Sequence, residues 1–328
     1  LFDAILPLLL AGLLYSCSAG ETGQKKQGRN VASPTPTGVQ MRIESKEFSF
    51  AVPPGFNDET NYAFKDRDER ELLTVIYGRA TPTTPTLESV IADRLGDMKD
   101  VLGGEMRIEQ QSAASLAGVP ARRASFTFED RGTLFREQWV FAMLREPDYV
   151  HIAYVAPAND PQSALKFEHI ISSVSPSGAS TSPQATGFER RQAGQIWLDV
   201  PTTLAFPSVY LIVSPGERVR LTLSVYNPRT SREPLRTLDE EIASDTQSGA
   251  RVSHQREVRI NSAAGSGIAV HYLLSGDDAS GVEQQKIIRG RINLENGTIL
   301  SLSGRANISS TTDLDASFDM VASSITRK

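Results

Sequence analysis

Cys17 and the four imidazoles His151, His169, His254 and His271 are the softest groups in the chain, and their spacing limits the chemistry they could support. One thiol and four imidazoles are too few for a zinc finger, an iron-sulfur site or a disulfide framework. His254 and His271 stand 17 residues apart with no cysteine or paired carboxylate at ligand spacing, so no metal is expected there. His151 falls in a strand-like run between Val150 and Ile152, and His169 on an amphipathic stretch; both read as structural imidazoles. A serine nucleophile would need a Gly-x-Ser-x-Gly turn with a His and a carboxylate, and the chain has none. It also lacks a Gly-x-x-x-x-Gly-Lys phosphate loop and a Gly-x-Gly-x-x-Gly fingerprint. No catalytic residue, metal or cofactor is therefore expected, and the chain reads as a non-enzyme. Asp277-Asp278, inside Ser-Gly-Asp-Asp-Ala-Ser-Gly, reads as a hairpin loop with too few oxygen ligands for calcium.

Two arginine pairs offer binding chemistry instead. Arg218/Arg220 and Arg289/Arg291 have i, i+2 spacing, which points each pair to one face of a sheet. Guanidinium forks can grip carboxylates or a polyanion in two-point contacts. A solvated sheet face balanced by Glu217, Glu257 and Glu283 is the competing reading. With 34 basic against 39 acidic side chains the net charge is −5, which argues against nucleic acid as the partner.

The apolar run Ala4–Tyr15 is too short to cross a bilayer as a helix and fits the apolar region of a signal peptide. It ends on Leu14-Tyr15-Ser16-Cys17, which resembles a bacterial lipobox, with Leu14 and Ser16 matching and Tyr15 larger than the usual middle residue. Residues 1–17 are thus expected to be a signal peptide with Cys17 as the lipidation site; the opening at Leu1, with no Met or basic leader, reads as a truncated start. Residues 18–40, rich in Ser, Gly, Thr, Gln and Pro, read as a flexible tether of roughly 25–30 Å reach.

The elements that would carry these residues fall into two similar stretches. Ser175–Gly187 has no charge and no large apolar side chain, and residues 177–187 are expected to link a first domain (41–176) to a second (188–328). Residues 41–174 hold 15 basic and 21 acidic side chains, whereas 188–328 hold 16 of each. Phe48–Pro53 is answered by Ile196–Pro201, Leu72–Tyr77 by Leu221–Tyr226, Phe135–Gln138 by Val282–Gln285, and Phe167–Val174 by Phe318–Ile325, at offsets of 147 to 151. Such constancy predicts one module used twice. Leu87, Val90, Ile91, Leu95, Met98 and Leu102 predict a helix over 86–102, and Thr237-Leu-Asp-Glu240 is a capping box. Further helices are expected from Gln162 to Val174 and from Thr311 to Ile325. Tyr149–Ala156 and Ala121–Phe128 read as strands. Short turns between strands imply antiparallel pairing, and the early and late helices imply two faces covered. The expected fold class is α/β (α+β): two tandem three-layer α/β/α sandwiches, each with a mainly antiparallel sheet flanked by helices.

Phe48-Ser-Phe-Ala-Val-Pro-Pro-Gly-Phe56, Leu116-Ala-Gly-Val-Pro-Ala121 and the closing Phe167–Val174 resemble the PsbP-like and DcrB-like α/β/α proteins; the second stretch is similar through Trp197–Pro201 and Phe318–Ile325. That resemblance brings no catalytic residues. It implies a non-catalytic accessory or binding protein, lipid-anchored in the bacterial cell envelope, that presents two modules to an envelope protein or small ligand. Ser18 after Cys17 leans the address toward the outer membrane or periplasmic face. An envelope enzyme with a site between the domains, or an extrinsic subunit of a photosynthetic membrane complex, remain the alternatives.

Overall fold

A computed structural model describes residues 41–328 except 46, 69, 103–105, 131, 177–184, 229–230, 232–233, 247–249, 276–283 and 311–312. Cys17, the tether and Asp277-Asp278 lie outside the described residues. The first half carries β1 (Arg42–Glu44), β2 (Phe48–Ala51), β3 (Asn57–Asp58), β4 (Tyr62–Lys65), β5 (Leu72–Arg79), α1 (Leu87–Leu102), β6 (Arg107–Leu116), β7 (Val119–Asp130), β8 (Thr133–Arg145), β9 (Asp148–Pro157) and α2 (Ser163–Ser172). The second half carries β10 (Phe188–Ala193), β11 (Ile196–Pro201), β12 (Val209–Val213), β13 (Val219–Tyr226), α3 (Leu238–Thr246), β14 (Arg251–Ser262), β15 (Gly265–Ser275), β16 (Gln285–Leu294), β17 (Ile299–Asn307), α4 (Leu314–Ser323) and β18 (Thr326–Arg327).

The chain divides into two compact units. The first is Phe64–Ala205; the second joins the segment ending at Ala63 to Phe206–Lys328. This division differs from the linear one at 41–176 and 188–328. The hairpin β10–β11 belongs to the first unit, where Trp197 bridges Ser175, and the hairpin β1–β2 belongs to the second, where β18 pairs with β2.

In the first unit the sheet order is β4-β5-β9-β8-β7-β6. The long meander β6–β9 follows from alternating apolar and polar residues joined by tight turns. Between Leu116 and its partner Val119, Ala117 and Gly118 both have positive φ (50° and 83°), as a two-residue turn matched to strand twist requires. Helix α1 opens where the Thr86 hydroxyl accepts the Ser89 N–H at 3.2 Å. Its Val90, Ile91, Leu95 and Met98 pack on Phe126, Phe128, Phe135, Trp139, Phe141 and Tyr149. Helix α2 packs on the opposite face, its Phe167 ring stacked on Tyr154 at 6.4 Å. Two consecutive residues of β7 record both placements. Arg122 binds Glu88 of α1 at 2.8 Å, and Arg123 binds Glu168 of α2 at 2.5 and 3.1 Å. Successive strand residues point to opposite faces, so this pair of bonds defines an α/β/α layering.

The second unit's sheet runs β14-β15-β16-β17-β13-β12-β3. Read from β12, its order reproduces that of the first unit from β4. Tyr272 of β15 donates to Asp245 of α3, and its neighbour His271 pairs with Asp315 of α4, so these helices also sit on opposite faces. The capping box forms as the spacing predicts. Thr237 N–H donates to Glu240 at 2.6 Å, and Glu240 N–H donates to the Thr237 hydroxyl at 3.1 Å. Helix α4 approaches β16 so closely that a Cβ on Gly290 would lie 2.9 Å from both Ile260 Cδ1 and Phe318 Cζ. Both units are α+β with mainly antiparallel sheets.

Candidate interaction face

The arginine pairs meet different fates. Cross-strand register places Arg220 opposite Arg305, Arg305 opposite Ile287, Arg289 opposite Ser303 and Arg291 opposite Ser301. Directly opposed residues share a face, so Arg220, Arg289, Arg291 and Arg305 lie on one side of the second unit's sheet. Helix α3 covers part of that side. It has nine residues against the sixteen of α1, and its Leu238 and Ile242 pack with Val270, Tyr272 and Ile287. Arg289 is held there by Asp245 at 2.8 Å and by the Tyr272 hydroxyl at 2.9 Å, while Arg291 reaches Glu241 at 3.0 Å. Burial works against the Arg289 charge, but the Asp245 and Tyr272 hydrogen bonds outweigh it and raise its pKa. Burial and the Asp245 hydrogen bond push the Tyr272 phenol up. Arg289 and Arg291 thus hold α3 through its acidic residues. The i, i+2 spacing correctly put them on one face; whether a helix lies over that face is set by tertiary packing.

Beyond α3, the same side continues onto β13 and β17. Arg220 and Arg305 are exposed, and Thr222, Ser224, Ser301 and Ser303 are half-buried beside them. Arg218 is exposed just before β13. The faces of β13 and β17 turned the other way are apolar: Leu221, Leu223, Leu300 and Leu302 are buried. The free space between this apolar side and α4, lined by Ile212, Leu302, Phe318 and Val321, has room for about one water. The polar side can offer guanidinium forks and hydroxyls to carboxylates. Arg305 was not singled out from the sequence, because no second arginine stands two residues away; its pairing with Arg220 appears only once β13 and β17 are side by side.

The buried ionisable groups are arranged differently. In the first unit Glu137 accepts the Trp139 indole N–H at 2.5 Å, and its Oε2 has no hydrogen-bond partner among the described residues. Burial raises its pKa to about 7, against the Trp139 hydrogen bond that lowers it. His151 is stacked on Phe141 at 4.0 Å and edge-on to Trp139 at 5.1 Å. Burial, with the Arg94 charge adding to it, lowers its pKa to about 3. Trp139 thus touches both groups, donating to Glu137 and standing edge-on to His151. His169 contacts Asp199 at 3.2 Å, and Arg190 holds the same carboxylate at 3.2 Å. In the second unit His271 Nδ1 lies 2.9 Å from Asp315, whose other oxygen takes Lys286. Burial raises the Asp315 pKa, but Lys286 and His271 prevail and lower it. His271 is buried, and the pair ties β15 to α4. His254 is at a β-bulge with φ of 54°. Among the described residues no three His, Cys, Asp or Glu side chains could hold a metal ion, and no helix is long and apolar enough to cross a membrane.

No protein-family profile matches the chain, and no curated protein matches it. Solved structures do. The immunity protein TplEi of T6SS from Pseudomonas aeruginosa, solved with an "L" peptide, is 12% identical, covering 88% of this chain and 97% of that one at a TM-score of 0.40. The PsbP of Synechocystis sp. PCC 6803 (CyanoP) is 14% identical over 42% of this chain and 92% of its own, at 0.28. LpqN of Mycobacterium tuberculosis, involved in cell envelope biogenesis, is 12% identical over 40% and 87%, at 0.26. Likeness at these scores assigns no activity or partner, and leaves the chain as a two-unit α+β protein with an arginine- and hydroxyl-lined sheet face among its described residues.

Proposed function

We propose that this protein is a non-catalytic, lipid-anchored binding protein of the bacterial cell envelope, built from two copies of a PsbP-like or DcrB-like module, and that it holds an acidic segment of a partner protein against β13 and β17. The observation that carries the binding reading is the polar side of those strands: Arg220 and Arg305 stand exposed and directly opposed, beside Thr222, Ser224, Ser301 and Ser303 and outside the cover of α3. Arginines on directly opposed positions suit carboxylates because a guanidinium offers forked donors. The matching strand order of the two sheets supports the two-copy reading. Anchorage through Cys17 and the outer-membrane or periplasmic address rest on the sequence at residues 4–18.

A pull-down of the lipidated protein from solubilised membranes tests the reading. Arg220→Glu with Arg305→Glu should cut recovery of the partner at least tenfold while the melting temperature holds. Unchanged recovery would discard this face as the binding surface. Cys17→Ala should move the protein from the membrane to the soluble fraction; retention on the membrane would discard the anchor.

A further inference from the structure

Each compact unit is closed by a hairpin from the opposite half of the chain, and both closures are made by the same set of bonds. In the second unit Arg42 of β1 donates to the Ser324 carbonyl at 3.1 Å and to the Thr326 hydroxyl at 3.0 Å, and the Ala51 N–H donates to the Ser324 hydroxyl at 2.8 Å. In the first unit Arg190 of β10 donates to the Ser173 carbonyl at 2.5 Å and to the Ser175 hydroxyl at 2.5 Å, and the Asp199 N–H donates to the Ser173 hydroxyl at 2.8 Å. Arg42 and Arg190, like Ala51 and Asp199, are 148 positions apart, whereas Ser324 and Ser173 differ by 151, as do Thr326 and Ser175.

The remainder of each closure repeats too. Phe48 and Phe50 in one hairpin, and Ile196 and Leu198 in the other, are buried at the same alternate positions. Thr326 pairs with Ser49, and Ser175 with Trp197. Val213 pairs with Asn57 beyond one hairpin, and Lys65 with Ala205 beyond the other, again at a separation of 148.

We propose that the end of each unit's last helix, with the residues that follow it, is a receptor for a β-hairpin carrying an arginine on its first strand and alternate apolar residues on its second, and that its occupant is the hairpin of the opposite half of the same chain. The protein is then a hairpin-exchanged pair written as one polypeptide, independent of what the arginine face binds. Two receptors and two hairpins that share these bonds allow a second topology in which each half keeps its own hairpin, and the contact of Asp199 with His169, matched by Ala51 and Met320 in the other closure, favours the exchanged one. The exchanged topology places residue 49 beside 326 and residue 197 beside 175; the unexchanged one would place 49 beside 175 and 197 beside 326.

Disulfide trapping in the full chain distinguishes them, with Cys17→Ser removing the natural thiol. Ser49→Cys with Thr326→Cys replaces hydroxyls 3.0 Å apart on directly opposed residues, a spacing a disulfide can bridge. Ser49→Cys with Ser175→Cys probes the alternative. On mild oxidation the 49/326 variant should cross-link within one chain, read as an intramolecular disulfide peptide by mass spectrometry, while 49/175 stays reduced. A second pair, Ser175→Cys with Trp197→Cys, repeats the test at the other receptor should the first variant fail to fold. A 49/175 cross-link, no link in either exchanged pair, or a 49/326 link found only between two copies would each overturn the proposal. Loss of the partner pull-down would leave these results unchanged, so the two readings fail separately.

Discussion

Glu137→Gln offers the sharpest quantitative prediction. The carboxyl lies beneath α1 among Trp139, Phe126 and Phe128, with burial raising its pKa from 4.5 to about 7. A raised acid is held protonated more tightly by the folded state than by the unfolded chain. Below pH 4.5 both states are protonated and the group has no net effect. As pH rises from 4.5 to 7 the unfolded chain ionises first, and stability falls by about 1.4 kcal/mol per pH unit. The full loss is about 3 kcal/mol, complete above pH 7. An amide cannot ionise, so Glu137→Gln should gain about 3 kcal/mol over the native protein between pH 4.5 and pH 8, whatever constant offset its unmatched amide donor introduces.

Urea unfolding followed by tryptophan fluorescence at those two pH values measures this as a relative midpoint displacement of roughly 1 M at a slope of about 3 kcal/mol/M. His151 supplies the internal control. Its pKa is lowered to about 3, so the stability it contributes is complete above pH 6.5 and is lost as pH falls below that. The two groups oppose each other between pH 4.5 and 6.5, with Arg94 of α1 the charged neighbour acting on His151. Removing the Glu137 carboxyl should therefore expose a steep acid sensitivity that His151→Phe abolishes. An identical midpoint difference between variant and native protein at pH 4.5 and pH 8 would refute the placement of Glu137 as a buried, neutral acid.

Other outcomes follow from single contacts. Arg289→Ala leaves Asp245 of α3 without its two-point partner and should cost about 2–3 kcal/mol in chemical unfolding, whereas Arg305→Ala at an exposed position should cost under about 0.5 kcal/mol. Equal costs would mean that Arg289 is not what holds α3 down. Gly290→Ala forces a methyl against Ile260 and Phe318 and should cost about 1–3 kcal/mol, read as a lowered melting temperature; an unchanged melt would show that α4 can move aside.

Much of the fold was legible because its signals are local. The apolar spacing from Leu87 to Leu102 names its own buried face, and Thr237 with Glu240 forms the cap that its four-residue pattern specifies. The hairpin exchange was not legible, although its residues were. Phe48–Pro53 and Ile196–Pro201 announce that two hairpins are alike, and likeness is the reason the linear order cannot say which receptor each one occupies. The candidate site was half legible for a related cause. Period two put Arg289 and Arg291 on one face, but only the short α3 and its acidic residues at 241 and 245 decide that this pair is gripped by a helix.

The neighbouring grips of Arg122 and Arg123 make β7 into a proofreading device. Slipping that strand by a single position would turn each guanidinium away from its glutamate and toward the wrong side of the sheet, breaking both attachments together and burying neither charge well. Misaligned pairing is thereby sensed at two helices at once, so an error in one hydrogen-bond ladder cannot be sealed over by either layer.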